Sequence, residues 1–242
     1  MMRKILFALL FSFAAPFSWA GGGGELDSVD IDLRDREALQ RGAEAFVQYC
    51  LNCHSAAYMR YSRLMQDLGI DEARLKERLL FAGDKPGDTM KVAMDPKRAK
   101  AWFGTAPPDL SVIARARGED WLYTYLRSFY LDPERPWGVN NRIFKDVGMP
   151  HVLWRLQGLY RPVIETDENG HERIIRLEQV EAGLLSPEEY DAFVRDLVAY
   201  LVYMGEPAQF QRMQLGPWVL LYLFVLLGVL YVLKKEYWKD VH

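Results

Sequence analysis

The 242-residue chain predicts a mainly α domain with long loops and a small β-hairpin, held by one C-terminal transmembrane helix. Three observations carry that class. Apolar residues recur at helical spacing in several segments separated by long irregular stretches. A single pair of extended runs flanks a hairpin signal, Asn169-Gly170. Near the end, Gly216 to Leu233 is almost wholly apolar. Half the residues are hydrophobic and 13 % aromatic, enough for a sizeable core. A net charge of -3 with a pI near 5.9 excludes the basic face that nucleic acid requires.

Taken in order, Arg3 and Lys4 precede an apolar run from Ile5 to Phe17 and the small-residue site Ser18-Trp19-Ala20, so residues 1–20 read as a secretory signal peptide. Gly21 to Gly24 read as a flexible leader, and Asp27, Asp30 and Asp32 as an acidic surface stretch. Asp35 is placed to cap a helix from about Arg36 through Gln48. Leu39, Ala43, Phe46, Val47 and Cys50 fall on one face of it.

That helix delivers Cys50-Leu51-Asn52-Cys53-His54 at its C-terminal end. Two cysteines separated by two residues and followed at once by histidine are the attachment signature of a c-type haem. The spacing puts both thiols on one side of a turn, each able to form a thioether to a haem vinyl group. His54 then lies where an imidazole nitrogen serves as proximal axial ligand. Tetrahedral zinc would need four ligands, and the chain has two cysteines and four histidines. A thioredoxin-like pair expects a βαβ setting that the preceding residues lack. Residues 21–205 are therefore predicted to form a c-type cytochrome haem domain with one covalent haem c.

Downstream, Ser62 to Leu68 and Asp71 to Phe81 read as helices ending at Gly69 and Gly83. Gly83 to Pro108 is a long irregular stretch, expected to wrap part of the haem. The prolines of Ala106-Pro107-Pro108-Asp109-Leu110-Ser111 fix an extended stretch without backbone donors, suited to lie on an apolar haem edge. Asp109 is positioned to cap a helix beginning near Leu110. Asp120 to Tyr130 reads as a further helix, with Trp121, Leu122, Tyr125, Leu126 and Phe129 on one side. Leu131 to Pro150 is irregular and holds Met149 in Gly-Met-Pro, the preferred second iron ligand, with Met90 and Met94 as rivals. His151 is expected to be a surface or core histidine.

Tyr160 to Thr166 and Arg173 to Leu177 read as the hairpin, with Pro162 marking an edge strand and His171 exposed beside the turn. Ser186-Pro187-Glu188-Glu189 carries a serine cap, a first-turn proline and a glutamate three residues on. The helix it opens buries Phe193, Val194, Leu197, Val198 and Leu201 and stops at Gly205. Residues 206–215 are taken as a linker and 216–233 as the anchor, roughly 27 Å at 1.5 Å per residue. Lys234, Lys235 and Lys239 place the 234–242 tail in the cytoplasm.

The pentapeptide at Cys50 to His54, the Ala106 to Ser111 stretch, Arg115-Ala116-Arg117, Gly148-Met149-Pro150 and the anchored tail together resemble the cytochrome c1 family, the haem subunit of the cytochrome bc1 complex. The resemblance implies Met149 as axial ligand and Arg117 as partner of a haem propionate, with Pro108 also at the haem. Trp121 stands where many relatives carry a tyrosine that shares the propionate contact. The resemblance further implies that the late helix packs across the haem-bearing one. It implies an electron carrier, not catalytic alone, that takes an electron from the Rieske iron-sulfur protein and passes it to a soluble or tethered c-type cytochrome. Its anchor would lie in membrane lipid against cytochrome b, in a bacterial inner membrane with the haem domain in the periplasm. The alternatives are a tethered cytochrome c donating to a terminal oxidase and, from the enzyme class, a haem peroxidase, which needs an open sixth iron position.

Overall fold

The computed structural model describes residues 25–92, 94–166, 168, 170 and 172–240. The expected signal peptide over 1–20, the glycine stretch Gly21 to Gly24, and Asn169 and His171 lie outside them.

Two helices frame the domain. The first, α1 (Arg36–Ala45), starts where the Asp35 carboxylate accepts the Ala38 N–H, the predicted cap. At Phe46–Cys50 it widens into a π-helical turn, in which the Leu51 N–H reaches back to the Phe46 carbonyl at 2.9 Å. The late helix, Pro187–Gly205, has the complete capping box: Ser186 Oγ accepts the Glu189 N–H, and the Glu189 carboxylate accepts the Ser186 N–H. The two cross at Gly42, where a Cβ would fall 2.1 Å from the Asp196 carbonyl oxygen. Only glycine lets the backbones approach this closely. Arg41 pairs with Asp196 at 2.7 Å beside the crossing, and Leu39, Ala43, Phe46, Val194, Leu197, Val198 and Tyr200 close it into the main core.

Between these helices the chain departs from the expected pattern in several places. Strand β1 (Ala56–Arg60) pairs antiparallel with β2 (Thr89–Met90). Helix α2 (Tyr61–Leu68) ends at Gly69 as predicted. Helix α3 (Glu72–Arg78), expected to run to Phe81, stops earlier because the Leu79 and Leu80 N–H groups both turn back to the Leu75 carbonyl, which sends Leu79 into the core. The stretch from Gly83 to Pro108 is less irregular than predicted: besides β2 it contains α4 (Pro96–Phe103), opened by an Asp95 cap and a first-turn proline.

Asp109 is not a helix cap. Helix α5 (Ile113–Arg117) begins beyond it, and the carboxylate accepts from the Ser111 and Ala57 N–H groups instead. Helix α6 (Glu119–Arg127) stops short of the predicted Tyr130, because β3 (Phe129–Leu131) pairs with β4 (Val139–Asn141) in a hairpin absent from the sequence reading. A short α7 (Trp154–Gln157) leads into the predicted hairpin, which is longer than expected: β5 (Gly158–Thr166) and β6 (Glu172–Ala182).

Helix α8 (Pro187–Gly205) is followed after three residues by α9 (Gln209–Tyr237). Residues 209–215, expected as linker, are thus the first two turns of the apolar helix. Gln211–Tyr237 has a mean hydropathy of 2.2 with none of its most apolar window buried, long enough to cross a bilayer.

Candidate haem site

The π-helical turn places Cys50 at its end, after which the Cys53 and His54 N–H groups both fold back onto the Cys50 carbonyl at 3.0 and 2.8 Å. One tight turn therefore gathers two thiols and an imidazole. Both cysteines are free and half-buried. Burial, with a smaller contribution from Cys53, pushes the Cys50 thiol up to about 12, and burial raises Cys53 as well. Neither sulfur is activated as a thiolate, which is the opposite of what a redox-exchange pair requires.

His54 Nδ1 lies 2.8 Å from the Pro108 carbonyl oxygen. A carbonyl can only accept, so Nδ1 carries the proton and Nε2 keeps its lone pair, the arrangement seen in imidazoles that ligate metals. Burial lowers the His54 basicity, outweighing the hydrogen bond to Pro108 and the nearby Asp109 charge, and this favours the neutral ring. The strap that supplies this carbonyl is sewn to the residues after the motif. Leu110 N–H donates to Ser55 O at 2.8 Å, Ala57 N–H to Asp109 Oδ2 at 2.9 Å and Tyr58 N–H to Ser111 Oγ at 3.1 Å. Pro108 thus holds the imidazole through its backbone carbonyl, a role that its residue type does not announce.

These side chains open onto a cavity of about 380 Å³. Met149 borders the same cavity, as do Arg117, Trp121 and Tyr125. The structure therefore brings Cys50, Cys53, His54, Pro108, Arg117 and Met149 together. The rival methionines do not line this cavity. Met90 is fully buried in the core, where its sulfur accepts the Tyr200 hydroxyl at 3.4 Å, and Met94 lines a neighbouring hollow that shares Cys53, Ala106 and Pro107 with the cavity but not His54 or Met149. His151 is a core histidine, stacked on Phe129 at 4.8 Å.

Met149 is presented by a loop fixed at several points. A Cβ on Gly148 would lie 2.8 Å from the Phe103 carbonyl oxygen, so α4 and this loop touch backbone to backbone. Asp146 takes a left-handed conformation at φ 62°, held by its N–H on Asn140 Oδ1 and its carbonyl on Arg135. Buried Asn141 ties the loop to α6: its Nδ2 donates to the Tyr125 carbonyl at 2.8 Å, while its Oδ1 accepts the Ile143 and Phe144 N–H groups. Sequence reasoning missed Tyr125 and Asn141. The Asn140-Asn141 pair after Gly138 was the available signal.

Arg117 lies at the rim, with its guanidinium 4.9 Å from the Trp121 ring centroid and 5.8 Å from that of Phe144. Exposed and without a carboxylate partner in these contacts, it is open to an anion. Its neighbour Arg115 is engaged with Glu206 at 2.8 Å.

A helical domain with thiols, a neutral imidazole and a thioether around one apolar cavity, carried on a membrane-length helix that has no second among the described residues, defines an anchored cytochrome. The donor set fits haem c, with two sulfurs for attachment and one nitrogen and one sulfur for iron. The model for the Cytochrome C1 family matches residues 30–82 and 82–241. Cytochrome c1 of Allochromatium vinosum is 53 % identical across 100 % of both chains. A Nitrosomonas europaea protein named ammonia monooxygenase gamma subunit is 51 % identical across 100 % of both. Cytochrome c1 of Rhodospirillum rubrum is 29 % identical over 93 % of this chain and 86 % of its own. The chain belongs to the cytochrome c1 family: it is a haem c-binding, membrane-anchored electron carrier of the bc1 complex.

Proposed function

We propose that Cys50 and Cys53 would hold a single haem c covalently and that His54 and Met149 would ligate its iron. The observation that carries this reading is that His54, its Nδ1 held by the Pro108 carbonyl so that Nε2 keeps its lone pair, lines one cavity together with Met149, Cys50 and Cys53. When bound, the haem supplies a one-electron couple, which a thioether ligand sets at a high potential. The chain's own residues fix its surroundings. Pro108 orients the imidazole, Arg117 at the rim would pair with a haem propionate, and Met149 as ligand would keep water, oxygen and peroxide from the iron. With both positions filled, the chain carries electrons without activating substrate. That argues against a peroxidase, and against transferring to this chain the monooxygenase in its Nitrosomonas relative's name.

The donor in this reading is the Rieske iron-sulfur protein and the acceptor a soluble or tethered c-type cytochrome. Helix α9 would lie in lipid against cytochrome b, with the haem domain in the periplasm and the lysine-rich end in the cytoplasm. The signal peptide over residues 1–20 and the lysines after Leu233 support that orientation.

Met149→Leu tests the site. The variant should keep its covalent pigment, lose the red-edge band of a methionine-ligated ferric haem and fall in potential; an unchanged spectrum overturns the assignment. Affinity purification from membranes tests the role: cytochrome b and the Rieske protein should accompany the chain, and recovery with a terminal oxidase in their place would overturn it.

A further inference from the structure

The Tyr125 hydroxyl lies 3.3 Å from the Met149 sulfur and donates to it. A phenol turned into the protein needs such a partner, and a thioether, though a weak acceptor, supplies it here as the Met90 sulfur does for Tyr200. What sets this pair apart is that Met149 and Tyr125 both border the cavity with Cys50, Cys53 and His54. The ring carrying this hydroxyl is fixed on every side. Trp121 stacks on it with centroids 4.9 Å apart and planes 10° from parallel, and Phe129 and Phe144 meet it edge-on at 5.2 and 6.4 Å. Its backbone carbonyl is held by Asn141. Arg117 caps the outer face of Trp121, so a stacked column runs from the rim to the sulfur.

From this geometry we infer that Tyr125 is a positioning residue for the axial methionine, and that its hydroxyl tunes the iron through the sulfur. The inference deepens the proposed function and rests on Met149 being the ligand. A thioether has two lone pairs. One suffices for the iron, and the other can go on accepting the Tyr125 proton. Such a bond draws electron density from the sulfur, weakens its donation to ferric iron more than to ferrous, and so favours the reduced state. Trp121, at a position where the resemblance gives many relatives a tyrosine, here keeps the Tyr125 ring in register.

The test uses the full-length, haem-loaded chain. Tyr125→Phe keeps the ring, its stacking and its volume, so a packing role alone would leave the midpoint potential where it was. The expected result is a shift to lower potential with the methionine-to-iron band retained. A fluorinated tyrosine placed at position 125 by stop-codon suppression is a stronger donor of similar size and should shift the potential upward, which gives an answer even if the phenylalanine variant fails to fold. A potential that neither change moves, with the band intact, overturns the proposal. Retention of band and potential in Met149→Leu overturns the ligand assignment and the proposal with it, and is told apart from the first failure because it needs no change at Tyr125.

Discussion

The two walls of the cavity are made differently. The wall with Cys50, Cys53 and His54 comes from five consecutive residues at the end of one helix, and a single strap, Ala106 to Ser111, completes it through the hydrogen bond from His54 and three more to Ser55, Ala57 and Tyr58 just after the motif. The wall with Met149 is gathered from α4, α6, the β3–β4 hairpin and the loop after it, and depends on a backbone contact at Gly148, the Asn141 clamp and the aromatic column at Tyr125. The attachment wall is thus set by local geometry and tolerates change elsewhere. The methionine wall is a tertiary construction, and residues with no chemistry of their own control it.

This contrast can be broken most severely at the attachment side. Replacing Cys50 and Cys53 together by alanine should abolish covalent pigment, scored by haem staining after denaturing electrophoresis; a stained band would show that the thiols do not anchor it. Gly148→Ala should act on the other wall alone. Its methyl group meets the backbone oxygen of Phe103, which cannot rotate away, so a loss of about 1–3 kcal/mol is expected, with the methionine-to-iron band weakened and haem staining retained. Denaturant unfolding and the ferric spectrum check it.

Asn141→Ala removes the clamp on the Tyr125 carbonyl and leaves the Ile143 and Phe144 N–H groups without their acceptor, for a further expected loss of about 1–3 kcal/mol. If the walls are independent, the affinity of the reduced iron for carbon monoxide should rise in this variant while pigment attachment stays complete.

The smallest effect is expected at the junction with the anchor, where Glu206 accepts from both Arg212 and Arg115. The hydrogen bond from Arg212 comes first, and with the Arg115 charge it holds the Glu206 carboxyl below the usual range. A depressed acid stabilises the fold above its unfolded pKa, and that contribution disappears as pH falls through the native value. Glu206→Gln should therefore melt slightly lower than the parent at pH 7, with the difference closing in acid and in high salt. A difference that persists in both would show that charge is not its source.

Much of the fold was legible where the signal is local. The Asp35 cap, the capping box at Ser186, Gly69, the Asn169-Gly170 hairpin and the apolar run each depend on residues within a few positions of one another. The β3–β4 hairpin was not legible, because its strands are short and its turn, Asp132 to Gly138, includes two prolines and no compact hairpin signal. Helix α6 was overextended for a related reason: Phe129 continues the helical stripe, and only pairing with Asn141 draws it into a strand. Asp109 read as a cap because an acid before a helix usually is one, yet the distant Ala57 N–H claimed it. Helix α4 was overlooked despite its Asp95-Pro96 start, since it buries a single small residue, Ala99, and so carries no stripe of large apolar side chains.

What the sequence determined by itself is the kind of chemistry available, because two cysteines and a histidine within five residues converge on one turn wherever that turn sits. What the tertiary structure decided is which methionine meets them. Met90, Met94 and Met149 all lie in stretches long enough to reach, and their order in the chain does not choose among them. The choice is made by packing: Tyr200 and the core take Met90, a neighbouring hollow takes Met94, and the contact of Gly148 with Phe103, with the Asn141 clamp, leaves Met149 at the cavity.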